Sequence, residues 1–410
     1  MNVLPQSIAF VCDEYPSLPH GGIGTFVQML GRALVGRGYR VRVVGLYDPA
    51  LLAGGHEREN DEGVEVYRLA MPQGAGRLGG ALAWYKARKL LYDTVAGWAR
   101  AGEIDLVEVP DAGGWAAWWP KLPVPVIARV HGSGSYFRSV LGQERSRVLF
   151  ALERASMRRV DNWCAVSRFS GEQTRALFGL GPVGAISNVP VSIPPPVDFA
   201  GRVPNRVVYT GTLTAKKGIL SLARAWNQVK KECPAAELHV FGKDKLAGGG
   251  VMMSERARAE VSERWRDSLV FHGHTRREQV LAELGRAWTA VFPSYAEAFA
   301  FAPMEAMATG CPTIYSLRTS GPELIEEGVN GFLIDPDDAS GIARAITRLL
   351  GNAREAERIG AAGRERVARN FTPAILIPRM EQFYREAAGR FHGAAGAAPS
   401  SSSAASAATK

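Results

Sequence analysis

Glu297 and Glu305 bracket seven residues in a stretch, 293–310, that is otherwise largely apolar and small. Carboxylates in such surroundings need hydrogen-bond donors, because an unpaired charge away from water is unfavourable. Sugar and ribose hydroxyls are donors of that kind. On one continuous helix, eight steps of about 100° would set the two groups roughly 80° apart, on neighbouring faces. Pro303 favours a different arrangement, since its fixed φ and missing N–H suit the first helical position. Glu297 then lies in the loop leaving a strand, and Glu305 in the first helical turn, where the dipole favours an anion. A solvated loop glutamate followed by an ordinary helix-start glutamate is the plainer alternative.

Two glycine-bearing turns offer the complementary chemistry of anion binding. Gly21, Gly22 and Gly24 follow an apolar strand and precede a helical run, so backbone N–H groups there can approach a phosphate that the helix dipole also favours. Gly211, Lys216, Lys217 and Gly218 occupy the matching place in the second half of the chain. Lys217 would act as a point charge on a diphosphate leaving group. Taken alone, the glycines also suit tight turns, and the two lysines a solvated pair. His131 ends another strand, where it can contact a hydroxyl or phosphate, act as a general base, or be a structural histidine satisfied by a carbonyl. Gly321, before Pro322 and Glu323, reads as a turn into a helix with N–H groups available to phosphate.

Parallel sheets are the elements that would place such residues together. Strand-like runs at 8–12, 40–46, 64–69, 104–109, 124–130, 163–167 and 183–187 alternate with helical stretches. The pattern repeats at 206–209, 237–241, 269–272, 288–292, 313–316 and 331–334. Strands alternating with amphipathic helices give an α/β chain of two doubly wound domains. The proline-rich run 190–198 reads as a linker. We expect domains over 1–192 and 205–371 joined by 193–204, a helix over 372–392, and a Gly/Ala/Ser tail over 393–410 that cannot bury a core. The site is expected in the cleft, where the carboxyl ends of both strand sets face each other.

Composition constrains partners less. The chain has 410 residues, 46% hydrophobic and 22% charged, with a net charge of +9. That excess favours anionic partners without choosing among nucleotides, nucleic acid and acidic membranes. No apolar run reaches the roughly 18 residues of a membrane span and no signal peptide is visible, so a cytoplasmic protein is expected. Cys12, Cys164, Cys233 and Cys311 are scattered and read as buried thiols. The basic and aromatic stretch 77–100, with Trp84, Tyr85, Lys86, Arg88, Lys89 and Tyr92, is either an ordinary amphipathic helix or a face touching anionic lipid at the inner membrane surface.

Together these segments resemble the retaining nucleotide-sugar glycosyltransferases of the GT-B fold, the group 1 or family 4 glycosyltransferases. The resemblance covers about 8–369 and is strongest over 270–336. It implies a first Rossmann-like domain for the acceptor, a second for the donor, and a final helix crossing back to the first. Catalytic roles are implied for Glu297, Lys217 and His131. Donor binding is implied for Gly22, Gly24, Gly211, Lys216, Lys217, Phe299, Ala300, Glu305 and Gly321. No metal and no separate cofactor is implied, the partners being a nucleoside diphosphate sugar and a sugar or lipid-linked acceptor, with no nucleic acid. Three positions depart from the pattern: Thr212 replaces the usual arginine, and Ala298 and Ala300 replace glycines. Lys216 or Arg318 are candidates to supply the missing charge. Those departures also motivate a non-catalytic sugar-nucleotide-binding protein as the alternative. A nicotinamide-dependent oxidoreductase has only the glycine turns in its favour.

Overall fold

The computed structural model describes residues 5–396. The first sheet is built from β1 (Ser7–Val11), β2 (Arg40–Tyr47), β3 (Glu57–Asp61), β4 (Val64–Ala70), β5 (Leu106–Pro110), β6 (Val126–Val130), β7 (Asn162–Ala165) and β8 (Ala185–Ile186). The second contains β9 (Arg206–Thr210), β10 (Glu237–Phe241), β11 (Leu269–Gly273), β12 (Thr289–Phe292), β13 (Thr313–Ser316) and β14 (Phe332–Ile334). Their spatial orders are β3-β4-β2-β1-β5-β6-β7-β8 and β11-β10-β9-β12-β13-β14. Both sheets therefore reverse direction beside their first strand, the doubly wound arrangement expected, and at that point the loops after neighbouring strands part to leave a crevice.

The pairing is parallel except for β3, which runs antiparallel to β4 at the edge. The sequence reading missed β3 because Glu-Arg-Glu-Asn-Asp has no apolar alternation; an edge strand of charged residues needs none and resists pairing with another chain. Strands β1, β5 and β6 are buried throughout, as sheets covered on both faces require.

The last helix, Pro373–Gly396, returns to the first sheet. Its Glu381 pairs with Arg37 at 2.6 Å, and its Tyr384 hydroxyl donates to Glu108 of β5 at 2.7 Å. This helix continues beyond residue 392, so the tail expected over 393–410 is corrected at its start; the remainder, 397–410, lies outside the described residues.

The helix Gly76–Arg100 is amphipathic, with Ala87, Leu91, Val95 and Ala96 buried on one side. Arg88 is buried and donates to the carbonyls of Gly114, Trp115 and Ala117, and Tyr92 packs edge-on against Trp119. Tyr85, Lys86 and Lys89 stay exposed. Cys12, Cys164 and Cys311 are buried, whereas Cys233 is only half-buried. Among the described residues, no helix is long and apolar enough to cross a membrane.

Candidate functional site

The loops after β9 and β12 interlock at the carboxyl edge of the second sheet. Gly218 has φ +73°, and a Cβ on it would stand 1.8 Å from the Pro293 carbonyl oxygen. The Tyr295 N–H donates to the Lys216 carbonyl at 2.8 Å. Lys217 and Glu297, eighty positions apart in the sequence, consequently meet as an ion pair. Glu297 is 7% exposed, and the ammonium supplies the counter-charge that a carboxylate so placed requires. Gly218→Ala should lower stability by about 3 kcal/mol through backbone strain plus overlap with Pro293. Urea unfolding checks this, and a change below 1 kcal/mol would show that the two loops separate easily.

Helix Phe301–Ala308 carries Glu305. It starts two residues before Pro303, which corrects the expected start; the first turn's N–H groups have no intrahelical acceptor, so proline fits there as well. Glu305 is thus the fifth residue of the helix, past the first turn, and its partner is Arg277, with Nε to Oε1 at 2.7 Å. Ala300 is the helix N-cap. Phe299 turns its ring into the core against Phe371, 5.6 Å between centroids, so only its backbone is left for a ligand.

Several other candidates are engaged within the protein. Gly24 donates its N–H to the Glu14 carboxylate at 2.9 Å, and a Cβ would meet the Glu14 carbonyl oxygen at 1.7 Å. Close backbone packing, rather than an open anion site, therefore explains Gly24. Gly22 borders open space. Gly211 supports the close approach of Gly242, whose Cβ would lie 1.9 Å from the Gly211 carbonyl oxygen. Gly321 packs on the Ser316 carbonyl and gives its N–H to Thr319 Oγ1 at 3.2 Å. Arg318 is held by Asp335 and Asp337, at 2.7 and 2.6 Å, which removes it as the substitute for an arginine at Thr212. The Lys216 ammonium instead sits 3.7 Å from the centroid of the Phe137 ring, and burial lowers its pKa.

His131 follows β6 and packs edge-on against Phe26 at 4.9 Å. Burial, with the Arg129 charge, pushes its imidazole down to about 3. A ring so weakly basic is neutral near pH 7, free to accept a hydrogen bond from a hydroxyl but a weak acceptor of its proton. Its loop is held by carboxylates that sequence spacing did not reveal. Asp111 accepts the N–H groups of His131 and Gly132 at 2.8 and 3.2 Å, and Glu153 those of Gly134 and Ser135 at 3.1 and 3.0 Å.

Burial raises the Asp111 carboxyl from 3.8 to about 7, with Glu153 adding to the rise. The folded chain then keeps a proton that the unfolded chain has released, so this group's contribution to stability falls as pH rises between those values. Wild type should lose stability relative to Asp111→Asn between about pH 5 and 7 and level off above. Thermal melts across that range check it; a pH-independent difference would return the carboxyl to its ordinary range.

Comparisons with known proteins bear on this geometry. Residues 204–352 match the family model described as glycosyl transferases group 1, and residues 21–190 match the glycosyl transferase 4-like domain. The chain belongs to the group 1 glycosyltransferases. Glycogen synthase of Mycobacterium tuberculosis is 27% identical over 400 residues, covering 92% of this chain and 94% of that protein. A GDP-mannose-dependent α-(1-6)-phosphatidylinositol monomannoside mannosyltransferase of Mycolicibacterium smegmatis is 25% identical, covering 58% and 66%.

Among solved structures, sucrose-phosphate synthase of Thermosynechococcus elongatus aligns with a TM-score of 0.71 at 22% identity, over 95% of this chain and 100% of that one. HepE of Anabaena, in complex with UDP and glucose, aligns with a TM-score of 0.68 at 16% identity, over 92% and 98%. The fold of this glycosyltransferase is GT-B. In it, the Lys217–Glu297 pair and the Glu305–Arg277 pair stand at the ends of the second sheet, and the His131 loop at the end of the first.

Proposed function

We propose that this glycosyltransferase is a cytoplasmic, retaining, metal-independent enzyme that moves a sugar from a nucleoside diphosphate sugar to an acceptor in making a cell-surface polysaccharide or glycolipid. The observation that carries the reading is the Lys217–Glu297 pair, a cation and an anion held together at the edge where the two central loops interlock. Lys217 binds the diphosphate and stabilises the charge that develops as the bond from the sugar's anomeric carbon to phosphate breaks. Glu297 accepts hydrogen bonds from the donor sugar, Glu305 from the ribose, and neutral His131 contacts the transferred sugar. The acceptor oxygen attacks from the leaving-group side and gives its proton to the departing diphosphate, so configuration is retained. The acidic run after β14 does not enter the reading, because Asp335 and Asp337 are engaged by Arg318 and Asp338 caps the N–H of Gly341 at 2.8 Å. The UDP and glucose named with HepE and the GDP-mannose named for the mycobacterial relative support a nucleotide-sugar donor.

The same proposal includes peripheral contact with anionic lipid through Tyr85, Lys86 and Lys89, whose side chains are exposed on one helix. Thr212, Ala298 and Ala300, which stand where the family pattern has an arginine and two glycines, favour a second reading, a non-catalytic sugar-nucleotide-binding protein.

Thermal shift with UDP-, GDP- and ADP-sugars, and a nicotinamide cofactor as control, tests the donor site. One nucleotide should stabilise by about 2.7 kcal/mol at a hundredfold excess over its Kd, and the effect should vanish in Lys217→Ala. No stabilisation by any would remove the donor site as drawn. Release of free nucleotide from the bound donor separates the enzyme from the binding protein.

A further inference from the structure

The Glu297 loop belongs to the second sheet, yet two of its carbonyls are held from the first domain. The Tyr136 hydroxyl donates to the Glu297 carbonyl at 3.0 Å, and Ser167 Oγ to the Ala298 carbonyl at 2.6 Å. Both donor side chains are fully buried. Each is braced from behind. The Tyr136 N–H is capped by Ser133 Oγ at 3.1 Å, in the loop that Asp111 and Glu153 hold. Ser167 caps the helix Arg168–Phe178, accepting the Ser170 N–H at 3.0 Å.

A third contact closes the same seam from the other side. The Glu323 carboxylate of the second domain accepts the Arg168 and Phe169 N–H groups at 2.8 and 2.7 Å, where the helix dipole favours an anion. Tyr136, Ser167 and Glu323 thus form a clasp across the cleft, and two of its three members end on the peptide groups beside the Glu297 side chain.

We infer that Tyr136 and Ser167 are positioning residues for Glu297, setting the backbone of its loop for reaction when the two domains are closed, with Glu323 holding that closure. The inference rests on the reading that Glu297 faces the donor sugar. The two carbonyls lie in the successive peptide planes that follow Glu297, so holding both restrains the backbone from which the Glu297 side chain springs. Misplacement of a reacting group by about 1 Å can lower rates a hundredfold. Because the donors come from the opposite domain, an open molecule can bind nucleotide with its carboxylate unaligned, and closure over both substrates completes the site.

The test uses the full chain with UDP-glucose, GDP-mannose and ADP-glucose, following release of free nucleotide. Tyr136→Phe and Ser167→Ala should each lower kcat about tenfold with the donor KM within about twofold, the pattern of an interaction made in the transition state. Adding Tyr136→Phe to Glu297→Gln should bring no further loss, since the first change acts through the second residue. Losses that multiply, or wild-type kcat in the Tyr136→Phe/Ser167→Ala double variant, would overturn the positioning role while leaving the donor site intact. Wild-type kcat in Glu297→Gln would overturn the role of Glu297 itself, and no donor turned over by the wild type would overturn the positioning role together with the catalytic reading, in favour of the binding protein.

Discussion

Glu297→Gln is expected to lower kcat by about 100- to 1000-fold while leaving nucleotide affinity within a few-fold. Glutamine keeps the volume of the side chain and one acceptor oxygen, so it isolates the charge. In the folded protein that charge faces Lys217 in a pocket where Glu297 is only 7% exposed. Low solvent access strengthens every electrostatic contact inside, including those that arise when positive charge builds on the sugar as the diphosphate departs. Removing the anion also frees the Lys217 ammonium, which can then bind the diphosphate of the intact donor more tightly without helping it leave. Nucleotide affinity should therefore be kept, or rise slightly, as turnover falls. Glu305→Ala should show the opposite division, with weaker nucleotide binding, because Glu305 is paired with Arg277 at the start of another helix and not with Lys217. Steady-state kinetics beside nucleotide titration separates the two, and a Glu297→Gln kcat within threefold of wild type would remove Glu297 from the chemistry.

Residue type made Glu297, Glu305 and Lys217 legible in the sequence, since charged groups were conspicuous among small apolar neighbours. The glycines were legible as positions, but for a reason only partly right. Gly24, Gly218 and Gly321 are required because each backbone presses on a carbonyl oxygen, of Glu14, Pro293 and Ser316 respectively, and that need is independent of any phosphate. Alternation of strands and helices disclosed both sheets because their strands are buried on two faces and read as apolar runs. It could not disclose β3, which is polar and paired only at the edge. Tyr136, Ser167, Asp111 and Glu153 carried no local pattern: the contact of Tyr136 with Glu297 spans 161 positions and that of Ser167 with Ala298 spans 131. The one available hint was the placing of Ser133 and Ser167 just before helices, which marks caps but not what else a capping hydroxyl reaches.

Glu108→Ala should destabilise the protein by about 3–5 kcal/mol, the largest effect on stability expected from a single site here. Glu108 and Arg129, on neighbouring strands β5 and β6, are 3% and 0% exposed and form a two-point ion pair at 2.7 and 2.9 Å. Tyr384 of the last helix joins them, donating to Glu108 at 2.7 Å and accepting from Arg129 at 3.1 Å, while the guanidinium lies 4.9 Å from the Phe26 ring centroid. Arg129 Nη1 has no protein partner, and the adjoining cavity of about 10 Å³, lined by Glu108, Arg129 and His131, is large enough for one water.

Removing the carboxylate leaves a guanidinium buried without its counter-charge, which is worse than removing both charges. Glu108→Leu combined with Arg129→Met should therefore be less damaging than Glu108→Ala alone. Tyr384→Phe, which deletes one hydroxyl and leaves the ion pair, should cost about 1–2 kcal/mol. By contrast Glu381 of the same helix pairs with Arg37, whose side chain is 47% exposed, and Glu381→Gln should cost the least of these changes. Urea unfolding of the four variants gives the order directly. If the double variant were the least stable, the pair would be a net source of stability rather than a buried charge that must not be left alone. Either order concerns the join between β5 and β6, since the last helix reaches the pair through Tyr384 alone and also buries Leu376, Ile377, Met380 and Phe383 in the core that both domains share.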